Sequence, residues 1–233
     1  MMNLGLRQTP PKVDRVPYIS MLKENNIRKG FFEHSDFIAL KESLPVYLKG
    51  FVTFSYKSGW RVSEIRDLKW SQIDLENNIA RLESGETKNN EARTVYLDNE
   101  LKEIFLNQKA RQKELAKISH YVFTNESGTD KIKSFRHTLA NACKEANIGN
   151  KLVHDFRRTA VRNMVRAGIP ERVAMLISGH KTRTVFERYN IVSETDLKIA
   201  SQKQEAYLQA QTDTISSTVA YFPIETNQTS LSK

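Results

Sequence analysis

The sequence predicts a mainly helical α+β domain with one small antiparallel sheet. Apolar residues recur at helical spacing in the first third of the chain and again through most of its second half. Between these regions, two short segments with strand-type alternation flank a polar stretch that contains a glycine. The composition, 39% hydrophobic and 27% charged among 233 residues, is typical of a globular protein long enough to bury a core.

Three helices are predicted before the sheet. Ser35 and Asp36 can cap the first, which continues to Leu44. Pro45 opens the second and Gly59 ends it, because proline suits the first turn of a helix and glycine suits its end. One face of the third helix carries Val62, Ile65 and Leu68.

The predicted sheet is a hairpin. Its strands cover residues 78–83 and 93–97, and residues 84–92 form a long exposed tip between them. Residues 121–124 are a candidate for a further strand.

Helices are predicted for most of the remaining chain. Asp98 or Asn99 caps the first of them. Its inward face carries Leu101, Ile104, Phe105 and Ala110. The others cover residues 132–146, 154–167, 170–179, 182–189 and 194–208.

The net charge of +9 is concentrated in one block. Residues 151–190 hold nine Lys or Arg and three Asp or Glu. Such a block indicates either a polyanionic partner, most simply nucleic acid, or a solvated helical face. No apolar run approaches the ~18 residues of a membrane span, and the first residues lack the apolar core of a signal peptide. The single cysteine, Cys143, excludes an internal disulfide and fits a reducing cytosol.

His154 and Arg157 form the first candidate site. They lie three residues apart at the predicted start of a helix, so they share one face near its free N–H groups. This pair can bind a phosphate, although a surface histidine beside an arginine shows the same pattern. Arg61 is a second candidate, because it begins a helix and Glu64 one turn later can hold its guanidinium.

The other candidates are a lysine, a histidine and a tyrosine. Lys88 lies at the predicted hairpin tip, from which it can reach into a groove and deliver a proton. His180 follows a glycine at a helix end, and Tyr189 lies nine residues later among basic neighbours. A tyrosine in such surroundings can act as a nucleophile toward phosphorus, but each of these residues alone also fits an ordinary structural or exposed position.

The ordered set of these residues resembles the catalytic pattern of the tyrosine recombinases, the phage integrase family. That pattern is Arg, Lys, His-x-x-Arg, His or Trp, then Tyr, and every position is filled here within roughly residues 30–205. Gly-Trp-Arg-Val-Ser-Glu around Arg61 is similar to the family's Gly-Leu-Arg-x-Ser-Glu, and Thr-Lys-Asn places Lys88 before a strand. Two departures are Phe156 in place of Leu in His-x-Leu-Arg, and Ser178 in place of Leu in Leu-Gly-His.

The resemblance implies an integrase-like catalytic domain that recombines DNA at specific sites without a metal or other cofactor. Tyr189 would attack a phosphodiester to form a 3′-phosphotyrosine, with His154 as general base and Lys88 as general acid. The transition-state charge would be stabilised by Arg61, Arg157 and His180. Further contacts to DNA are expected from Arg158, Arg162, Lys181 and Arg183.

The same resemblance divides the chain into three parts. Residues 1–30 are expected to be a linker or the remnant of a core-binding domain, which in the family precedes the catalytic domain and completes a clamp around DNA. Residues 31–210 would form the catalytic domain and residues 211–233 a flexible tail. The expected partners are double-stranded DNA, three further copies in a tetramer whose C-terminal helices pack on neighbours, and accessory DNA-bending or directionality proteins. The expected location is the cytoplasm of a bacterium, with the chain bacterial or phage-encoded and without a membrane partner.

Other functions fit parts of the same pattern. A catalytically silent DNA-binding remnant or regulator would use the basic residues only as phosphate contacts. A topoisomerase-like nicking-closing enzyme would share the chemistry but act as a monomer. A metal-dependent nuclease would lose activity with a chelator, and no Asp/Glu/His cluster in the sequence has metal-ligand spacing.

Overall fold

The computed structural model describes residues 7–12, 15, 30–87, 91–190, 192 and 194–219. Within these residues the chain is mainly helical and contains one three-stranded antiparallel sheet, which confirms the predicted fold class. The elements in chain order are α1 (His34–Ser43), α2 (Val46–Ser58), α3 (Val62–Arg66), a 3-10 turn (Trp70–Gln72), β1 (Ile73–Asp74), β2 (Ile79–Leu82), β3 (Arg93–Tyr96), α4 (Asn99–Glu114), α5 (Arg136–Glu145), α6 (Val153–Arg166), α7 (Glu171–Ser178), α8 (Arg183–Glu187) and α9 (Glu194–Val219). None of the described helices is long and apolar enough to cross a membrane.

Helix α2 lies at the centre of the domain and packs against α4 and α6. It is buried along most of its length because Leu48, Phe51 and Phe54 recur on the faces it turns to its neighbours. At its end Gly59 has a φ of 65° and donates its N–H to the Ser55 carbonyl at 3.0 Å, so this glycine ends the helix as predicted. The chain then turns directly into α3.

The apolar core has two parts that meet at α6. The larger part surrounds α2, and Phe156 of α6 belongs to it. The smaller part lies between α6, α7 and α8 and consists of Ala160, Val161, Met164, Ala174 and Phe186. Helix α6 is therefore held from two sides, which gives the polar residues at its beginning a rigid support.

Both predicted strands are present as β2 and β3, with Ala80 opposite Val95. The sheet also contains β1, which the sequence analysis did not predict. A tight turn joins β1 to β2, and in it the Asp74 carboxylate accepts backbone hydrogen bonds from Glu76 and Asn77 at 3.0 and 2.9 Å. These side-chain bonds stabilise a hairpin too short for a periodic pattern to show.

The predicted further strand at residues 121–124 is wrong. Tyr121 and Thr124 each make a single bridge, to Lys69 and Lys131, and neither joins the sheet. The Val122 N–H bonds to the carbonyl of Leu68 at 2.9 Å instead. This segment is apolar because it fills the core beneath α2.

Several predicted helix bounds also differ from the structure, among them those of α1, α5 and α9. Helix α1 begins at His34 with Glu33 as its N-cap, so Ser35 and Asp36 lie inside its first turn and do not cap it. Helix α5 begins only at Arg136, because the backbone near residue 132 is still bonded to Phe123. Helix α9 continues to residue 219, beyond the predicted end at 208.

One predicted core position on α4 is wrong as well. Ala110 is exposed, whereas the polar Gln112 is buried. The Gln112 amide donates to the Tyr121 carbonyl at 2.8 Å and accepts from the Trp70 indole at 3.2 Å. Burial of this side chain is tolerated because its hydrogen bonds are made inside the protein.

The predicted division of the chain stays a prediction. Most of the expected linker at residues 1–30 and residues 220–233 of the expected tail lie outside the described residues.

Candidate active site

A cavity of about 1000 Å³ opens between α3, the start of α5, α6 and α8. Five of the six predicted catalytic residues line it, namely Arg61, His154, Arg157, His180 and Tyr189. The sixth, Lys88, lies outside the described residues. In the described part of the chain, no group of three or more His, Cys, Asp or Glu side chains could hold a metal ion.

Arg61 is positioned by the turn from α2 into α3. It is the N-cap of α3. The Glu64 carboxylate one turn later accepts two hydrogen bonds from it, one from the Arg61 backbone N–H at 2.9 Å and one from the guanidinium Nη1 at 3.0 Å. The Arg61 side chain remains 26% exposed, on the cavity side. This arrangement fixes the guanidinium and leaves it accessible to a ligand.

Arg157 is buried in the cavity wall. Its Nη1 donates to the carbonyls of Gly59 and Ser178, each at 2.5 Å, so it joins the end of α2 to the end of α7. Burial, followed by the neighbouring charge of Arg61, lowers the pKa of Arg157 to about 10, which still leaves it cationic at neutral pH. Its described hydrogen bonds go to carbonyls and a histidine, none to a carboxylate. An anionic ligand in the cavity would therefore be the first counter-charge, among the groups described, to bond this cation directly.

The contacts of His180 determine its tautomer. Arg157 Nη2 lies 3.0 Å from His180 Nε2, and because a guanidinium has no acceptor, Nε2 must accept. The other ring nitrogen, Nδ1, then carries the proton and donates to Ser178 Oγ at 2.8 Å, and Ser178 in turn donates to the Ala174 carbonyl. Burial and the charge of Arg157 lower the pKa of His180 to about 3, so the ring is neutral.

Tyr189 and His154 are in direct contact. The tyrosine Oη lies 2.7 Å from His154 Nε2, and the two rings meet edge to face. Desolvation in the cavity wall, with the charges of Arg158 and Arg157, lowers the pKa of His154, so its ring is neutral at pH 7. A neutral imidazole nitrogen at this distance can take the phenolic proton.

Helix α6 brings His154 and Arg157 into the same cavity. Its first turn is held by Asp155, which is buried and accepts the Leu152 backbone N–H at 2.8 Å. The next residue, Phe156, points to the opposite side and stacks on Phe32 at 4.6 Å between ring centroids. The i, i+3 spacing therefore places both predicted catalytic side chains on the cavity face.

The four predicted DNA contacts do not lie together. Lys181 is exposed at the rim of the cavity, and the Arg158 guanidinium lies 5.8 Å from the Tyr189 ring centroid. Arg183 is 72% exposed and pairs with Glu187.

Arg162 is placed differently from these three. Its side chain is 3% exposed, pairs with Glu33 at 3.0 Å and stacks on Phe31. It fixes the chain segment that enters α1 and does not face the cavity. The charge block in the sequence could not distinguish this arginine from its neighbours, because charge alone does not report burial.

Two groups of residues around the site were missed. The cavity is extended by basic side chains from α3 and from the segment that opens α5, namely Arg66, Lys133 and Arg136. Arg93 was missed as well, and its guanidinium forms a buried ion pair at 2.5 Å with Glu64, the residue already predicted to hold Arg61. The strand alternation contained a signal for Arg93, since it shares a face with the buried Val95.

Gly179 is expected to be irreplaceable. Its φ is +72°, and a Cβ built on it would overlap the Arg93 guanidinium. For the DNA cleavage proposed below, we expect Gly179→Ala to lower the rate about 10²-fold, because Arg93 and the adjacent His180 would both have to move. Gly168→Ala is the matched control, since Gly168 has a φ of +79° with nothing near its Cβ position. Both variants should lose ~1–2 kcal/mol of stability from backbone strain, measured by thermal unfolding, but only Gly179→Ala should lose the activity. Equal activities in the two variants would contradict this reading.

The sequence model of the phage integrase family matches residues 25–195. The integrase of Salmonella phage P22 is 26% identical over 183 residues, which are 76% of this chain and 47% of that protein. The chain spans about half the length of the curated relatives it matches.

Solved structures show the same fold. The crystal structure of XerA recombinase aligns with a TM-score of 0.67 at 19% identity, over 79% of this chain and 67% of that one. A structure of the Tn1549 transposon integrase in complex with a circular intermediate DNA aligns with a TM-score of 0.63 at 15% identity, over 78% of this chain and 68% of that one. With the family match covering most of the sequence, the chain belongs to the phage integrase family, the tyrosine recombinases.

Proposed function

We propose that this chain cleaves and rejoins double-stranded DNA as a site-specific recombinase, through a 3′-phosphotyrosine on Tyr189. The observation that carries the proposal is the 2.7 Å contact between Tyr189 Oη and the neutral His154, in a cavity that also holds Arg61 and Arg157. A nucleophile, a base and two cations thus share one site. The family membership and the DNA complexes of structural relatives support the same function.

The proposed step is an in-line exchange at phosphorus. Tyr189 Oη forms a bond to the phosphorus while its proton moves to His154 Nε2, and the bond from phosphorus to the 5′ oxygen breaks. Lys88 is proposed to protonate that leaving oxygen. Arg61 and Arg157 stabilise the charge that develops on the nonbridging oxygens. A second 5′-hydroxyl can then attack the phosphotyrosine, so the strands are rejoined without an external energy source.

His180 is assigned to holding Arg157. In the arrangement described above, its Nε2 accepts from Arg157 and its Nδ1 proton is directed at Ser178. The ring therefore has no free N–H for a phosphate oxygen. For His180 to stabilise the transition-state charge directly, as the family resemblance implies, its proton would have to move to Nε2 once Arg157 turns toward the phosphate.

DNA is proposed to lie across the mouth of the cavity. Lys181 and Arg136 line the cavity, and Arg158, which pairs with Asp155, lies beside the Tyr189 ring, so phosphates near the cleavage point would meet cations. Arg183 lies further out and can contribute once DNA competes with its carboxylate partners. Arg162 is left out of this surface because its charge is already buried against Glu33.

A tetramer on DNA is part of the proposal. Every residue from 197 to 213 of α9 is exposed, and the helix presents Leu197, Tyr207 and Leu208 to solvent. Such a helix gains stability by packing on another subunit. Sedimentation of the protein with and without DNA measures this assembly. Accessory proteins and a cytoplasmic location in a bacterial host remain part of the same proposal.

The pH dependence of cleavage tests the assignment of His154. Because the pKa of this histidine is lowered from 6.5, the active neutral form is retained as the pH falls below 6.5. The single-turnover cleavage rate is expected to rise with pH, with a midpoint below 6.5, and to level off by neutral pH. His154→Gln should lower the rate and remove this acidic limb. An increase of the cleavage rate with a midpoint above pH 6.5, or an acidic loss of rate that persists in His154→Gln, would contradict the assignment.

The experiment that tests the function is covalent trapping. The protein is mixed with DNA fragments nicked close to candidate cleavage points, so that the short released strand diffuses away and religation fails. The expected result is a band on a denaturing gel that contains protein joined to DNA. DNA binding without any such band would favour the catalytically silent DNA-binding protein.

A further inference from the structure

The buried arginine of β3 has no part in the reaction described above. The Arg93 side chain is 1% exposed and is not among the residues that line the cavity. It cannot reach a substrate there, yet it contacts both sides of the site. We propose that Arg93 is a positioning residue that holds Arg61 in place through Glu64 and His180 in place through Gly179. This inference rests on the proposed function.

The first contact runs through a shared carboxylate. Glu64 is 4% exposed and lies between two guanidinium groups. Its Oε2 accepts from Arg93 Nη1 at 2.5 Å, and its Oε1 accepts from Arg61 Nη1 at 3.0 Å. Without Arg93, Glu64 would be held only by the backbone N–H and the guanidinium of Arg61, the residue that it has to orient. With Arg93 fixed in the protein interior, Glu64 is held, and the Arg61 fork keeps one orientation toward the cavity.

The second contact is a close steric fit between the Arg93 guanidinium and the Gly179 backbone. The flat Arg93 guanidinium lies against Gly179, where any side chain would overlap it. Gly179 directly precedes His180, and its N–H bonds to the Met175 carbonyl at 2.7 Å. The distance between β3 and the end of α7 is therefore set by the thickness of a guanidinium. Arg93 thus fixes the backbone from which His180 reaches Arg157.

The charges of the cluster fit this role. Arg61 and Arg93 share a single carboxylate, Glu64, and the described hydrogen bonds of the neighbouring Arg157 include no carboxylate, so the three arginines carry more positive charge than their partners neutralise. Two Arg93 nitrogens, Nε and Nη2, are buried without a hydrogen-bond partner among the described residues. Such an arrangement is costly for stability, which is common where a site is organised in advance for an anion.

The test compares Arg93→Met and Arg93→Lys with the wild-type protein. The single-turnover cleavage rate is measured on a nicked DNA with an ordinary scissile phosphate and on one with a methylphosphonate. The methylphosphonate replaces a charged nonbridging oxygen with a methyl group. Its cleavage therefore requires less charge stabilisation from Arg61. Arg93→Met is expected to lose about 10²-fold on the phosphodiester, and far less on the methylphosphonate. Arg61→Ala should show the same pattern.

Two controls separate positioning from loss of fold. Arg81→Met changes an exposed arginine on the neighbouring strand β2 and should cleave both substrates at the wild-type rate. DNA affinity and thermal unfolding are measured for every variant. If Arg93→Met does not fold, Arg93→Lys is used, because it retains the charge but not the planar fork. Combining Arg93→Lys with Arg61→Lys should then cost little more than Arg61→Lys alone.

Either of two results would overturn the proposal. One is an unchanged cleavage rate in a folded Arg93 variant, and the other is an equal loss on both substrates. A wild-type protein that forms no covalent product on any DNA would instead count against the proposed function. In that case a crystal structure of Arg93→Lys decides the positioning role. In that structure we expect that Arg61 no longer bonds Glu64 or that His180 no longer bonds Arg157. If both hydrogen bonds are unchanged, the positioning role is refuted.

Discussion

Replacing Tyr189 with phenylalanine is expected to abolish the covalent protein–DNA product and leave DNA affinity unchanged. The change removes one oxygen, which is the atom that lies 2.7 Å from His154 Nε2. The ring would keep its packing against His154 and His180, at 5.3 and 4.6 Å between centroids, so the fold should not suffer. No other described group lies in that position to replace the nucleophile. The loss should therefore be complete on a denaturing gel.

Tyr96→Phe is the matched control for this experiment. Tyr96 lies on β3 and is 76% exposed, so the variant should give the wild-type amount of covalent product. DNA binding is measured by gel shift at two salt concentrations, because contacts to phosphates weaken as salt increases. A covalent band that survives Tyr189→Phe would assign the nucleophile to another residue and overturn the proposed mechanism.

Replacing Arg157 with lysine is the second change with a large expected effect. The Arg157 guanidinium bonds the carbonyls of Gly59 and Ser178 through one nitrogen and His180 through another. A lysine has a single nitrogen and cannot hold both helix ends and also meet a phosphate oxygen. We expect the single-turnover cleavage rate to fall about 10³-fold at saturating protein, through loss of transition-state stabilisation.

Arg162→Lys provides a control on the same helix. Arg162 is as deeply buried as Arg157 but pairs with Glu33 and stacks on Phe31, away from the cavity. This variant should melt at a lower temperature and still cleave at close to the wild-type rate while folded. If Arg157→Lys cleaves as fast as Arg162→Lys, Arg157 is a structural residue and the assigned role is wrong.

The sequence predicted most of the elements because their signals are local. Pro45 and Gly59 bound α2, and strand alternation identified β2 and β3. Elements were missed or misplaced where the pattern was too short to recognise or where apolar residues reflected burial in the core. The short strand β1 depends on side-chain bonds from Asp74, and residues 121–124 are apolar because they line the core.

The candidate site shows the same division more sharply. The order and spacing of six residues were sufficient to recognise the family, since i, i+3 spacing and glycine-ended helices are readable from the chain alone. The partners of each residue were not readable. That His180 is a neutral acceptor for Arg157, that Arg162 is buried, and that Arg93 contacts both Glu64 and Gly179 all follow from contacts between segments distant in sequence.

The sequence by itself therefore determined the fold class and the family and proposed a set of catalytic residues. Only the tertiary structure decided which cations face the cavity and which form buried ion pairs that stabilise the fold. The physical reason is that charge and hydrogen-bonding capacity belong to a residue, whereas burial, pKa and the choice of partner belong to its surroundings. Arg157 and Arg162 are five residues apart on one helix, and only the packing around α6 gives one to the site and the other to the core.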